Sequence, residues 1–227
     1  MQKTLVFLKQ NGLSIFSLLA IIGVIVWVAS RPVQPGRPDI SPGSVPTASP
    51  ASKSINDQLV AVAESLDLNT ETFTACLTSR KYKGLVETST EEGRDLGIQG
   101  TPSSIINGTL LVGALPLTEF DKQLASGEKG PLQPDIPGFS FLGKESAPHL
   151  IVEYGDYRCG YCKKFHDEIL TQLQEKYIDT GKARFVFKDM VIFGEESQMI
   201  AEAARCAGDQ GKFWEYHAKG FSLTSAD

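Results

Sequence analysis

Apolar residues recur along this chain in two rhythms, and the rhythm changes twice. From residue 55, Ile55, Leu59, Val62 and Leu66 fall on one face of a helix. A second helix is expected from Thr70 to about Arg80, with Asn69 as its N-cap and Phe73, Cys76 and Leu77 turned inward. A third spans about 82–96 and stops at Gly97. The stretch IQGTPSSIINGTLLVG then places Asn107-Gly108 between two apolar runs, a strong hairpin signal. Thr118 is expected to cap a short helix, TEFDKQLA, that ends near Gly127. Further on, LIVEYG and ARFVFKD read as strands. Between them a helix starts near Cys159 and carries Phe165, Ile169, Leu173 and Tyr177 at a spacing of four. Helices follow at about 196–208 and 212–220. Strands alternating with helices give an α/β class.

The first thirty residues follow neither rhythm. Lys3 and Lys9 precede an uncharged run whose apolar part reads LSIFSLLAIIGVIVWVAS. At a rise of 1.5 Å per residue, about 18 residues nearly span a hydrocarbon core of roughly 30 Å. The expectation is a membrane anchor over 1–30 with the N-terminus inside, although Arg31 and Arg37 follow the span. A signal peptide cleaved at Val28-Ala29-Ser30 is the alternative. Residues 31–54, rich in Pro and Ser, have too few large apolar side chains to offset their ordering entropy and read as a disordered tether. The folded part is then 55–227. Within it, 128–148 holds four prolines and reads as a linker between a 55–127 half and a 149–227 half. The 227 residues, 41% hydrophobic with net charge -5, suit one globular domain plus such accessory segments. The mild acidity and the lack of a basic stripe argue against a nucleic-acid partner.

The chain has four cysteines, and two of them stand in YGDYRCGYCKK, residues 154–164. A strand running into Cys159 at a helix start aims unsatisfied first-turn N–H groups and the positive end of the helix dipole at its sulfur. Both favour thiolate, with Arg158 as a further source of positive charge. Cys159 is therefore the expected nucleophile and leaving group, and Cys162, one turn further in, the resolving thiol. Other readings of the motif are weaker. A zinc knuckle needs about four ligands, and only Cys159, Cys162 and His166 cluster locally. Haem attachment needs a histidine where Lys163 stands. A copper site on those same three residues is conceivable in an exported protein, but His166 reads as a helix-surface residue. A purely structural disulfide over two residues stabilises little. No metal and no cofactor is expected.

The segments HLIVEYGDYRCGYCKKFH, ARFVFKD, AARCAGDQGKFWEYH, FTACLTSRKYK and GIQGTPSSIINGTLLVGALP together resemble the DsbA-like branch of the thioredoxin superfamily. The resemblance covers nearly all of 55–227. It implies a thioredoxin-like sheet with a helical insertion and a thiol:disulfide oxidoreductase, an oxidase before an isomerase. It also implies that Pro102 is cis and faces the redox pair, against an ordinary trans turn. The Thr101 backbone would pair with an extended substrate, and Gly160 and Tyr161 would belong to the same substrate surface. Glu153 resembles a buried acid that relays a proton to Cys162; a surface glutamate is the competing reading. Ser103-Ser104 depart from the apolar or aromatic residue often found after the proline, which bears on substrate preference. Cys76 and Cys206 resemble a second, non-catalytic pair, with buried free thiols as the alternative. The implied partners are reduced or unfolded exported proteins and a membrane redox partner of DsbB or VKOR type, outside the cytoplasm.

In that family the C-x-x-C half comes first; here it comes last. Three arrangements account for the reversal: a circularly permuted single domain, a fragment of a tandem protein, or a swapped dimer whose halves complete one another. The functional alternatives are a disulfide isomerase or reductase, a copper-handling thioredoxin-like binding protein, and an incomplete, non-catalytic fragment.

Overall fold

The computed structural model describes residues 54–223. The expected anchor over 1–30, and the tether up to residue 53, lie outside the described residues. Ser54 already belongs to the fold. It caps α1 (Ile55–Glu64) in a capping box with Asp57. Leu59 and Ala63 of α1 are fully buried, and Ile55, Val62 and Leu66 pack against the same core. In α2 (Thr70–Thr78) the Asn69 side chain accepts the Thr72 N–H at 2.8 Å, while Phe73, Cys76 and Leu77 turn inward. Helix α3 spans Lys83–Asp95.

The hairpin follows as β1 (Ser103–Ile106) and β2 (Thr109–Val112). Its turn residues Asn107 and Gly108 sit at φ 48 and 87, the two positive values that a type I′ turn requires. Helix α4 (Leu117–Ser126) departs from expectation. Pro116 occupies the N-cap without a side-chain hydrogen bond, and Thr118 lies inside the helix. The pre-set φ of proline, here −66, serves the start instead of a hydroxyl. Gly127 closes the helix in the left-handed conformation.

The stretch 128–148 is more than a linker. Gly130 donates to the Asn107 carbonyl at 2.9 Å and Leu132 to that of Gly108 at 3.1 Å, so the stretch is stitched to the hairpin turn. A Cβ on Gly108 would lie 2.3 Å from the Gly130 oxygen, so only glycine allows this approach. Phe139 is buried, Leu132 and Ile136 pack beside it, and Phe141–Leu142 form a short edge strand, β3. Its four prolines masked these apolar anchors.

Strands β4 (His149–Gly155) and β5 (Ala183–Asp189) run parallel. The five-stranded sheet has the order β2-β1-β4-β5-β3, with every other pairing antiparallel. The β1–β4 pair joins the two halves of the chain, with Ser104 opposite Glu153 and Ile106 opposite Ile151. Alternate residues serve opposite faces. Ile151, Phe185 and Phe187 enter the larger core, which the helices cover; Val152, Tyr154 and Val186 enter the smaller one with Ile98, Ile105, Phe139 and Met190.

Between β4 and β5 a helical stretch, α5, occupies 160–178 and alternates α-turns with wider π-turns at Phe165–Leu170 and Gln174–Ile178. A spacing of four drifts about 40° per step around a regular α-helix. The wider turns reduce that drift, and Phe165, Ile169 and Leu173 all stay buried. Helices α6 (Glu195–Gly208) and α7 (Phe213–Gly220) complete the helical layer. Cys76 of α2 and Cys206 of α6 are disulfide-bonded, their Cα atoms 5.9 Å apart. Among the described residues no helix is long and apolar enough to cross a membrane.

Candidate active site

Strand β4 ends at Gly155, and the turn 156–158 delivers Cys159 to the N-cap of α5 with extended φ −84 and ψ 114. The Cys159 N–H donates to the Asp156 carbonyl at 3.1 Å, which closes the turn. Cys162, one helical turn on, is completely buried, whereas Gly160 is exposed and Tyr161 is 70% exposed. Both Cys159 and Cys162 are free thiols.

The surroundings push these two thiols in opposite directions. The Cys159 thiol is lowered to about 6, chiefly because Cys162 hydrogen-bonds to its sulfur; burial opposes this. The Thr101 side chain and the N–H groups of Cys162 and Tyr161 also favour the thiolate. In the thiol form, Cys159 Sγ donates to the Thr101 carbonyl at 3.3 Å. In the thiolate form, the Thr101 hydroxyl, which has no other partner among the described residues, is the available donor. Cys162 is driven far upward by burial first, then by its bond to Cys159 and by the negative charges of Glu153 and Cys159. The pair thus holds one ionisable and one persistently protonated thiol. Arg158, expected to add charge beside Cys159, instead pairs with Glu196 at the start of α6.

The Thr101–Pro102 peptide bond is cis, and the loop that carries it lies against Cys159. Pro102 is buried, and its carbonyl accepts the Gly113 N–H at 2.8 Å. Glu153 is 1% exposed, and its Oε1 has no hydrogen-bond partner among the described residues. Burial, and then the charge of Cys159, hold its carboxyl well above the usual range. The acid sits behind the thiols, not on the surface. Ser104, its opposite number on β1, is also buried. One expectation holds only in part. His166 is half-buried: its ring packs edge-on against His217 and stacks on Phe221, each with centroids 5.2 Å apart. The described residues contain no group of three or more His, Cys, Asp or Glu side chains able to hold a metal.

Comparison with known proteins matches this geometry to a lineage. Residues 50–125 match the family model of the DSBA-like thioredoxin domain, and residues 137–225 match a thioredoxin model. The two matches support a likeness to the DsbA-like branch of the thioredoxin superfamily. It is similar to disulfide bond formation protein D of Bacillus subtilis, 38% identical over 91 residues, which cover 39% of this chain and 41% of that protein. A putative protein-disulfide oxidoreductase of Rickettsia prowazekii is 33% identical over 76 residues, 34% of this chain and 28% of that protein. The chain therefore matches less than half the length of these relatives. Among solved structures, oxidised BdbD from Bacillus subtilis shows 35% identity over 42% of this chain and 52% of that one, with a TM-score of 0.38.

Two features of this DsbA-like site escaped the reading of the sequence. The first is Asp156, whose buried carboxylate joins the cysteine turn to the loop before α6. A short polar residue between a buried strand and a helix start is the signal of an Asx-turn, and its Oδ1 does accept the Arg158 N–H two residues on. The second is that loop itself, where Ile192 and Phe193 stand 43% and 50% exposed. Two apolar residues beside Gly194, outside any period, were the available sign.

Proposed function

We propose that this protein is a thiol:disulfide oxidoreductase working through Cys159 and Cys162, and that its main direction is oxidation of partner thiols. The observation that carries this reading is the opposite displacement of the two thiols at one helix start, with Cys159 lowered to about 6 and Cys162 raised. In the oxidised enzyme a substrate thiolate attacks the Cys159 sulfur. The Cys159–Cys162 bond breaks, a mixed disulfide forms on Cys159, and Cys162 leaves with the electron pair. Glu153, buried and held protonated, supplies the proton that Cys162 takes up. A second substrate thiolate then attacks the substrate sulfur of the mixed disulfide and releases Cys159 as thiolate. The substrate loses two electrons and the enzyme gains them, so a further oxidant must restore the pair.

A nucleophile that is also a good leaving group favours this direction, because a stabilised Cys159 thiolate makes the reduced pair the preferred state. Extended substrate would lie along Thr101 and Pro102, beside the exposed Gly160 and Tyr161. Substrates are reduced exported proteins, and reoxidation falls to a membrane protein of DsbB or VKOR type. The apolar run in residues 1–30 supports tethering to a membrane with the catalytic domain outside the cytoplasm. The reversed order of the halves is read as a circular permutation, supported by the β1–β4 pairing that closes one sheet from both. A swapped dimer would make the same pairing between two chains.

The test is disulfide exchange with a reduced, unfolded protein. Cys159→Ser should abolish turnover, and reduced Cys162→Ser, given the disulfide form of the substrate, should accumulate a mixed disulfide as its Cys159 thiolate displaces one substrate sulfur. Undiminished turnover by Cys159→Ser would end the proposal. Light scattering of the full chain separates monomer from swapped dimer.

A further inference from the structure

Asp156 touches both cysteines without being part of the C-x-x-C. Its backbone N–H points at Cys162 Sγ at 3.5 Å, and its carbonyl accepts the Cys159 N–H at 3.1 Å. Its side chain is as fully engaged as its backbone. Oδ1 accepts the Arg158 N–H at 2.8 Å and the Ser197 hydroxyl at 2.6 Å. Oδ2 accepts the N–H groups of Ile192 at 2.7 Å and Phe193 at 3.0 Å. The residue is 1% exposed. Four donors on one buried carboxylate, three of them from a segment more than thirty residues away, hold this turn in one position.

We propose that Asp156 is a positioning residue for the redox pair: its carboxylate pins the turn 155–158 to the loop before α6, and so holds the Asp156 amide at Cys162 and the first-turn amides of α5 at Cys159. The proposal rests on the thiol-exchange reading above.

An anchor and a bare charge make opposite predictions. A carboxylate acting only as a nearby negative charge disfavours the Cys159 thiolate, so neutralising it should lower the Cys159 pKa. A carboxylate acting as an anchor keeps the amide donors on the sulfurs, so loosening it should raise that pKa towards the free-thiol value of about 8.5. Asp156→Asn separates the two. The amide keeps the shape but replaces one accepting oxygen with a donor, leaving part of the four-donor set unmatched.

The experiment uses the full chain equilibrated with glutathione. It reads the oxidation equilibrium constant, the thiolate absorbance of Cys159 against pH, and urea unfolding of the oxidised and reduced forms. For Asp156→Asn the expected result is a Cys159 value raised from about 6 to about 7. The reduced pair is then disfavoured about tenfold against glutathione, and the reduced form loses more stability than the oxidised. A lowered or unchanged Cys159 value, with equal losses in both forms, overturns the proposal. If Asp156→Asn does not fold, Ser197→Ala removes a single donor and should shift the constant about two- to threefold in the same direction; an unchanged constant there overturns it equally. Failure of the unsubstituted protein to exchange with glutathione at all would overturn the functional reading itself, and shows before any variant is made.

Discussion

The molecule carries two cysteine pairs, and they differ in almost every physical respect. Cys159 and Cys162 stand three positions apart at a helix start, both free, amid amide donors and a buried acid. Cys76 and Cys206 lie 130 positions apart on two packed helices and are already bonded. The near pair closes so small a loop that its disulfide restricts the unfolded chain little, and its energetics are set by which thiol the fold prefers to ionise. The far pair closes a loop that spans both halves of the chain, so its bond acts on the unfolded ensemble. The sulfur chemistry is the same in both; loop length and local electrostatics separate a reactive pair from a structural one.

The comparison can be broken most directly by alkylation. At neutral pH iodoacetamide should modify Cys159 of the reduced protein about a hundredfold or more faster than Cys162, because thiolate is the reacting form. The Cys159 rate should be half-maximal near about 6. Equal rates at the two positions would erase the contrast. A lowered folded pKa also fixes a linkage sign. The reduced form gains stability over the oxidised as pH rises from about 6, and the gain is complete near the unfolded value of about 8.5. Below about 6 it is lost.

The second test concerns the far pair. Cys76→Ala with Cys206→Ala should cost about 2–5 kcal/mol in urea unfolding. At a temperature where the variant stays folded, the exchange rate should be unchanged. A large loss of exchange without unfolding would mean that the two pairs are coupled.

Glu153 sharpens the near side. Glu153→Gln should slow formation of the mixed disulfide, the step in which Cys162 leaves and takes up a proton, about tenfold to a hundredfold, read by quenched-flow trapping. The same variant should be the more stable one above about pH 4.3, the ordinary glutamate value. The sign follows from burial: a carboxyl whose folded pKa is raised contributes fully below its unfolded pKa and loses that contribution as pH rises through the folded one.

The smallest effect belongs to the helical layer that the far pair ties together. His217 of α7 is wholly buried among Tyr157, Phe187, Phe213, Trp214 and Phe221, and its imidazole is held well below its ordinary value, first by burial and then by His166 and Arg205. The unfolded chain binds the extra proton, so stability should fall as pH drops below about 6.5. His217→Phe should flatten that acid limb by about 1 kcal/mol at pH 5.5, because the unfolded histidine is then mostly protonated. An unaltered limb in thermal melts would assign the acid sensitivity to other groups.

What the sequence by itself determined is local. Asn69 before α2, Asn107-Gly108 in the hairpin, the strand that runs into Cys159 and the spacing of the two thiols all act within a few residues, and propensity and periodicity report them. The tertiary structure decided what meets across the chain. Thr101 reaches Cys159 over 58 positions because β1 pairs with β4. Glu153 is buried because Phe187 and the helices cover its face of the sheet. Asp156 finds three of its four donors 36 to 41 positions away, and the proline-rich stretch becomes an edge strand only because β5 offers it a ladder. The physical reason is that a periodic pattern says which face of an element must leave water, but not which other face will cover it. That choice belongs to the packing of the whole sheet and its helices, where each buried polar group needs partners that sequence neighbours alone do not supply.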